Sequence, residues 1–400
     1  MADLGAQDLR RDGDALDKAL EEHKMSFLSP RKRKTEKGLR SFSLREAAGF
    51  MKMNYNSLRN YLKKLEGAPQ GEMLTGNRRI FTLEEIHVIQ EKLFEAGKIP
   101  LSNYPRRLPG EPMSLISIAN LKGGVSKTTT AASIAARLAA SGMRCLVIDV
   151  DGQSSISDLF DVKPDVDGVP SVYDVIKYDS PVPITKAIQP TYFPNIDILA
   201  GSLSMSEFEF ETSATYMDGR HKDMPWHTRF KTALRLVEDR YDVVLFDTPP
   251  HLSFSVLAAL HASNGLIIPL SSSMLDAVSL MKFINLAADA LEIIEGRNQG
   301  HGFSFIRYLI TRHSPQDGPQ LQLASFLRTH LGERMMKTAL LHSTAMLDVT
   351  NTMDLMIEVP PSDFNRKTYE RIMESLDGIA DEVEADIMRF WGRTQKSEAA

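Results

Sequence analysis

Residues 119–133 read Ala-Asn-Leu-Lys-Gly-Gly-Val-Ser-Lys-Thr-Thr-Thr-Ala-Ala-Ser, a stretch whose residue types suit phosphate binding. Gly123 and Gly124 let backbone amides approach phosphate oxygens, and a helix opening just after them adds further amides and its dipole. Lys127 is placed to reach β- and γ-phosphates, and the Thr128 hydroxyl to sit on Mg²⁺. The binding segment is expected to comprise Lys122, Gly123, Gly124, Val125, Ser126, Lys127, Thr128 and Thr129. A strict G-x-x-x-x-G-K-[ST] pattern fails, because Ser126 stands where a glycine is usual. Lys122 is a second cation, placed earlier than a simple phosphate loop requires.

Carboxylates follow in order. In Val-Ile-Asp-Val-Asp-Gly-Gln, residues 147–153, Asp149 and Asp151 fall on the same side of an extended chain. A carboxylate there can orient a water or hold the shell of a metal. In Val-Val-Leu-Phe-Asp-Thr-Pro-Pro, residues 243–250, Asp247 closes an apolar run, where it can grip magnesium-bound water.

These residues need a frame. From residue 113, apolar runs near 114–120, 144–150, 196–201, 241–247, 265–270 and 303–311 alternate with helical patterns, among them 127 to about 141 and 227–240. The runs are nearly continuous, as in strands buried on both faces. The expected class is α/β, a P-loop fold whose mostly parallel sheet is covered by helices on both faces. Ligands of such folds bind beyond the C-terminal strand ends, where all of these residues fall. A last amphipathic helix carries Ile372, Met373, Leu376, Ile379, Val383, Ile387 and Phe390 on its apolar side.

The region before residue 113 reads differently. Residues 1–40 form an N-terminal helix with a narrow stripe (Leu16, Ala19, Leu20, Met25), then a basic arm. There Arg31, Lys32, Arg33, Lys34, Lys37 and Arg40 face Glu36 alone. Residues 41–97 carry two capping boxes, Ser43 with Glu46 and Thr82 with Glu85. Between them Leu58, Tyr61, Leu62 and Leu65 turn inward, leaving Arg59, Lys63 and Lys64 outward. Gly76-Asn77 suits a hairpin turn, followed by Arg78 and Arg79. Helix, turn, helix and basic hairpin predict a small winged helix-turn-helix domain that contacts DNA through these five cations. It resembles the winged domain of MerR-type regulators. Residues 98–112, rich in proline, read as a linker before the domain spanning 113–400.

Composition narrows the classes. The chain has 400 residues, 42% apolar and 25% charged, with net charge −5, so cations that meet nucleic acid must be localised. A single cysteine, Cys145, rules out an internal disulfide or a cysteine-based metal site and fits a reducing compartment. The charged N-terminus argues against a secretory signal. No apolar run approaches the ~18–20 residues that span a bilayer. A cytoplasmic location is expected.

Lys-Gly-Gly-x-x-Lys-Thr-Thr, then Asp-x-Asp-x-Gln, then an apolar strand ending Asp-x-Pro-Pro, resembles the deviant Walker ATPases. Among them it is similar to the ParA partition ATPases, over about residues 113–400. A winged domain in front resembles the large plasmid subgroup, such as that of repABC-type replicons. The resemblance implies ATP/ADP and Mg²⁺ as cofactors and a homodimer that sandwiches two nucleotides. Carried over, Lys122 reaches the partner subunit's nucleotide, Lys127 is the loop lysine and Thr128 binds Mg²⁺. Asp151 positions the attacking water, Asp247 is the Walker B acid and Asp149 assists near the metal. Two departures stand out. Ser126 occupies a variable position, and Gly152 replaces the proline of Asp-x-Asp-Pro-Gln, loosening the segment that holds Gln153.

The resemblance further implies DNA binding, both operator-specific and non-specific, and repression of the protein's own operon. It implies slow hydrolysis stimulated by a ParB-type centromere-binding protein, and association with the nucleoid in the ATP state. Lys337, Arg366, Lys367 and Arg371 are candidates for the non-specific DNA contacts. An alternative is an ATP-sensing repressor with little turnover. Another is a membrane-cycling ATPase like the MinD group. There the last helix would meet anionic lipid with Glu370, Glu374, Asp377, Asp381, Glu382 and Glu384, which lipid repels. One cysteine cannot anchor the shared iron–sulfur cluster of a nitrogenase-reductase relative.

Overall fold

The computed structural model describes residues 10–13, 15, 16, 18, 19, 37–74, 78–218, 224–296 and 302–393. Expectations resting on Leu20, Met25, Arg31 to Lys34, Glu36, Gly76 and Asn77 lie outside the described residues. Leu16 and Ala19 are helical and exposed.

The capping boxes form as read. Ser43 and Thr82 each accept the backbone amide three residues on, while Glu46 and Glu85 return the bond. They open α1 (Leu44–Phe50) and α3 (Leu83–Glu95), with α2 (Tyr55–Leu62) between them. Strands β1 (Phe42–Ser43), β2 (Glu72–Leu74) and β3 (Arg78–Phe81) form an antiparallel sheet in the order β1-β3-β2. Helix α2 stops at Leu62, so Lys63 and Lys64 follow the helix instead of standing on its outer face. Both are exposed, as are Arg59 and Arg78; Arg79 is half-buried and bonds Gln70 at 3.3 Å.

The second sheet has seven strands in the order β10-β9-β4-β8-β5-β7-β6. They are β4 (Ser114–Ile118), β5 (Cys145–Asp149), β6 (Gln189–Pro190), β7 (Ile196–Leu199), β8 (Val243–Asp247), β9 (Gly265–Ser271) and β10 (Phe305–Thr311). All neighbours are parallel except β6 against β7. Asp247 lies opposite both Ile118 and Asp149 in register, so the phosphate loop and the acidic strand ends leave the sheet side by side. Helix α4 (Lys127–Ala140) follows the loop, and α5 (Ser155–Leu159), α6 (Met205–Asp218) and α7 (Met274–Glu295) follow later strands. The helix expected over 227–240 is broken into the 3-10 turn Trp226–Thr228, the α-turns Arg229–Leu234 and a second 3-10 turn Arg235–Val237.

The C-terminal helix, α8 (Arg366–Phe390), buries Ile372, Leu376, Ile379, Val383 and Ile387. Several of its acids bond other parts of the fold. Asp377 pairs with Arg137 of α4 at 2.6 Å, and Asp381 and Glu384 pair with Lys52 at 3.0 and 3.1 Å. Among the described residues no helix is long and apolar enough to cross a membrane.

One apolar core runs from Phe42 and Leu58 through α4 to α8, so residues 41–97 share their interior with the large sheet. The fastening is polar as well. His87 of α3 bonds the Ala139 carbonyl at 2.9 Å and Gln90 donates to Ser141 O at 2.8 Å. A Cβ on Gly142, φ +109°, would meet the Gln90 amide oxygen at 2.2 Å, so only glycine fits. The stretch 98–112 is strapped down between the two parts. Tyr104 stacks on Phe94 with centroids 3.7 Å apart, the Arg107 amide donates to Asp242, and the Arg393 guanidinium donates to the carbonyls of Tyr104 and Arg106.

Candidate functional site

The loop between β4 and α4 is anchored by Asn120, which is buried. Its amide donates to Pro269 O at 2.7 Å, and its side-chain oxygen accepts the Lys122 amide at 3.1 Å. Gly124 takes φ +73°, a conformation glycine adopts without strain. Ser126, the N-cap of α4, takes φ +63° and ψ 36° with no side-chain cap bond. A serine held left-handed stores about 1 kcal/mol or more, tolerated where the surroundings dictate the backbone. The need for a left-handed residue explains why glycine is usual at this position.

Lys127 opens α4 and is buried, its ammonium bonded to the Lys122 carbonyl at 3.0 Å. Burial depresses its pKa, and the charges of Asp247 and Asp151 pull it back. Lys122 points elsewhere. Its ammonium is ion-paired with Asp276 in the first turn of α7, and not with Asp149, Asp151 or Asp247. Asp276 is a site residue that motif reading did not find. Its only local signal is an acid three residues after the N-cap Ser273.

The three expected carboxylates differ in surroundings. Asp149 is fully buried and already bonded on both oxygens. One accepts the Ser157 amide and hydroxyl at 3.2 and 2.6 Å, the other the Asp151 amide at 3.1 Å. Burial, then the nearby Asp247 charge, pushes its pKa well above the carboxylate range, against the Ser157 bonds. It holds the turn that carries Asp151. Asp151 is half-buried and accepts the Gln153 amide at 3.0 Å. Gly201 makes room for this turn, since a Cβ there would lie 2.6 Å from Asp151 O. At Gly152 a Cβ would meet only ordinary contacts, the nearest at 3.4 Å.

Asp247 is buried with neither carboxylate oxygen hydrogen-bonded. Burial pushes its pKa up to about 7. The Asp151 charge adds to the rise, while the nearby Thr128 hydroxyl, Lys127 and the Thr248 amide oppose it without bonding alignment. Two orphaned carboxylate oxygens beside a threonine hydroxyl are the donor set a hard cation needs. Mg²⁺ takes one or two such protein oxygens and fills its octahedron with phosphate and water. Among the described residues no cluster of three His, Cys, Asp or Glu could hold a metal without such help. Thr128 and Asp247 therefore fit magnesium.

Helix α7 also shows an apolar surface beside Lys122. Met274, Leu275, Val278 and Met281 are exposed, Leu275 at 78%.

Comparison with known proteins bears on this geometry. The family model described as an AAA domain matches residues 113–294. The chromosome partitioning protein ParA of Caulobacter vibrioides is 26% identical over 230 residues, 57% of this chain and 80% of that protein. "Putative replication protein A" of Rhizobium rhizogenes is 35% identical over 388 residues, 96% of this chain and 95% of that one. The chain belongs to the ParA family of P-loop ATPases. The likeness of fold extends beyond the matched domain. A solved structure titled "Partition Protein" aligns over 92% of this chain and 97% of its own, with a TM-score of 0.59 at 18% identity.

Proposed function

We propose that this ParA-family chain is a DNA-partition ATPase that dimerises on ATP, binds DNA and represses its own operon. The observation that carries the ATPase reading is Asp247, buried with both oxygens unpartnered between Thr128 and Lys127. Burying a charge without partners is costly, so the arrangement makes sense when a cation completes it.

The chain's own residues then divide the work. Lys127 exchanges the Lys122 carbonyl for phosphate oxygens, and the amides of Gly123 to Thr129 hold the phosphate chain. Thr128 and Asp247 would hold Mg²⁺, which would supply positive charge against the developing phosphoryl charge. Asp151, presented on the turn that Asp149 fixes, orients the attacking water. Lys122 leaves Asp276 for the nucleotide of a second subunit, bringing a cation to each site only when two subunits meet. The exposed apolar side chains of α7 beside Lys122 support a face-to-face dimer there.

Arg59, Lys63, Lys64, Arg78 and Arg79 form the operator-contacting surface. Lys337, Arg366, Lys367 and Arg371, all exposed, serve non-specific DNA in the nucleoid-associated state. A ParB-type protein stimulates hydrolysis and release. The test is ATP turnover with and without DNA and that partner. Asp151→Ala is expected to lower turnover about a hundredfold while leaving ATP-driven dimers intact. Turnover at the wild-type rate in that variant contradicts the water-positioning role.

A further inference from the structure

The acidic strand ends belong to β5 and β8, on one side of β4 in the sheet order, while β9 and β10 lie on the other. If the metal and terminal phosphate sit with Asp247 and Thr128, the nucleoside end of the same ligand leaves the loop toward β9 and β10. The end of β10 is tied to the loop there. The Thr311 hydroxyl donates to Val125 O at 3.1 Å. The next residue, Arg312, donates from Nη1 to Gly124 O at 3.3 Å and is otherwise exposed. Its backbone is left-handed, φ +52°, which a long side chain adopts only where the surroundings hold it. Thr311 pairs with Ser271 in register, so Arg312 and Ser272 are the first residues past the paired strands. The Ser272 hydroxyl is buried with no partner.

We propose that Arg312 is the nucleoside-contacting residue of the site, its guanidinium plane packing flat against the purine ring while Gly124 O holds its edge. This rests on the phosphate-loop reading above. An arginine suits the task. Its planar, weakly hydrated cation stacks on π faces, which a lysine ammonium does not do. The Gly124 bond fixes the plane before the nucleotide arrives, so little side-chain freedom is lost on binding. The phosphates would thus be read by the loop and α4, and the base by β10.

The test is calorimetric titration of the full chain with Mg·ATP and, separately, with Mg·tripolyphosphate, which lacks the nucleoside. Arg312→Gly removes the side chain and accepts the left-handed backbone, so it keeps the fold; Arg312→Lys keeps the charge without the plane. Both are expected to bind ATP about tenfold more weakly and tripolyphosphate as the wild type does. Lys127→Ala is expected to weaken both ligands. Wild-type ATP affinity in Arg312→Gly overturns the proposal. So does an equal loss of both ligands, which marks a phosphate contact, or full retention in Arg312→Lys, which marks a charge effect. A wild-type chain that binds neither ligand defeats the phosphate-loop reading itself, a result distinct from any of these.

Discussion

Lys122 is ion-paired with Asp276, across more than 150 residues of sequence, and not with Asp149, Asp151 or Asp247 at the neighbouring strand ends. Asp276 is buried, 2% exposed, so when Lys122 departs for a second subunit it leaves a charge without its partner. That loss opposes dimerisation, because an unpaired buried charge is costly. Asp276→Asn removes the penalty. It is expected to tighten the ATP-driven dimer about tenfold, with monomer affinity for ATP unchanged. Analytical ultracentrifugation over a protein concentration series reads the difference. A weaker dimer in Asp276→Asn means the carboxylate aims Lys122 instead of restraining it.

Asp247 predicts a pH signature in magnesium-free buffer. Its pKa is near 7 in the folded chain against 3.8 ordinarily. Between those values the folded protein keeps a proton that the unfolded chain releases, so this residue's contribution to stability falls as pH rises through the window. Asp247→Asn mimics the protonated acid. It should raise the melting temperature modestly at pH 5 and considerably more at pH 8, while abolishing the stabilisation that Mg·ATP gives the wild type. Equal melting shifts at both pH values would count against a buried, unpartnered carboxylate.

The opposite sign is expected at the contact between α3 and α4. His87 is held down to about 4 by burial, with Ala139 O on Nε2 and the Asn195 amide on Nδ1 at 3.1 Å. A donor facing Nδ1 leaves no room for a second ring proton. As pH falls below about 6.5 the unfolded chain takes up the proton first, so stability is lost progressively toward pH 4. His87→Gln keeps a donor for Ala139 O without titrating. Its melting curve should depend less on pH over that window; an unchanged profile shows that other groups govern the acid limb.

Local chemistry was legible in the sequence, and distant pairing was not. Gly123, Lys127, Thr128 and Asp247 stand out by type and by offset from a strand end, and the structure sets the loop and Asp247 side by side as that spacing suggests. The capping boxes at Ser43 and Thr82 are likewise three-residue devices, and both formed. The parallel sheet followed from its apolar runs. The Asp276 partner of Lys122 was invisible, since no local pattern encodes a side-chain contact between a loop and a helix more than 150 residues later. The same holds for His87 on Ala139, where an interior polar residue of α3 looks like any other until α4 is packed against it. Asp149 looked like a metal-shell candidate by spacing alone. Its bonds to Ser157 and Asp151 come from a helix and turn that spacing does not show. The two-residue strands β1 and β6 are too short to carry a period.

On the proposed function, residues 41–97 should carry a salt-dependent contact with DNA. Lys63 and Lys64 are exposed just past α2, and Arg78 at the start of β3. Replacing one phosphate-contacting cation by alanine is expected to lower the slope of log affinity against log salt by about 0.9. Fluorescence anisotropy on operator DNA at several salt concentrations measures it. Unchanged slopes in Lys63→Ala, Lys64→Ala and Arg78→Ala together would place the DNA surface elsewhere.

The central claim is that two lysines in one loop do different work, Lys127 for its own nucleotide and Lys122 for a partner's. Sedimentation velocity with a slowly hydrolysed ATP analogue, run beside nucleotide titration, separates them directly. Lys127→Ala is expected to lose tight ATP binding by the monomer. Lys122→Ala is expected to bind ATP as the wild-type monomer does, yet to stay monomeric and fail to hydrolyse it. A Lys122→Ala protein that dimerises on the analogue and turns over ATP at the wild-type rate contradicts the account and leaves Lys122 as the structural partner of Asp276 alone.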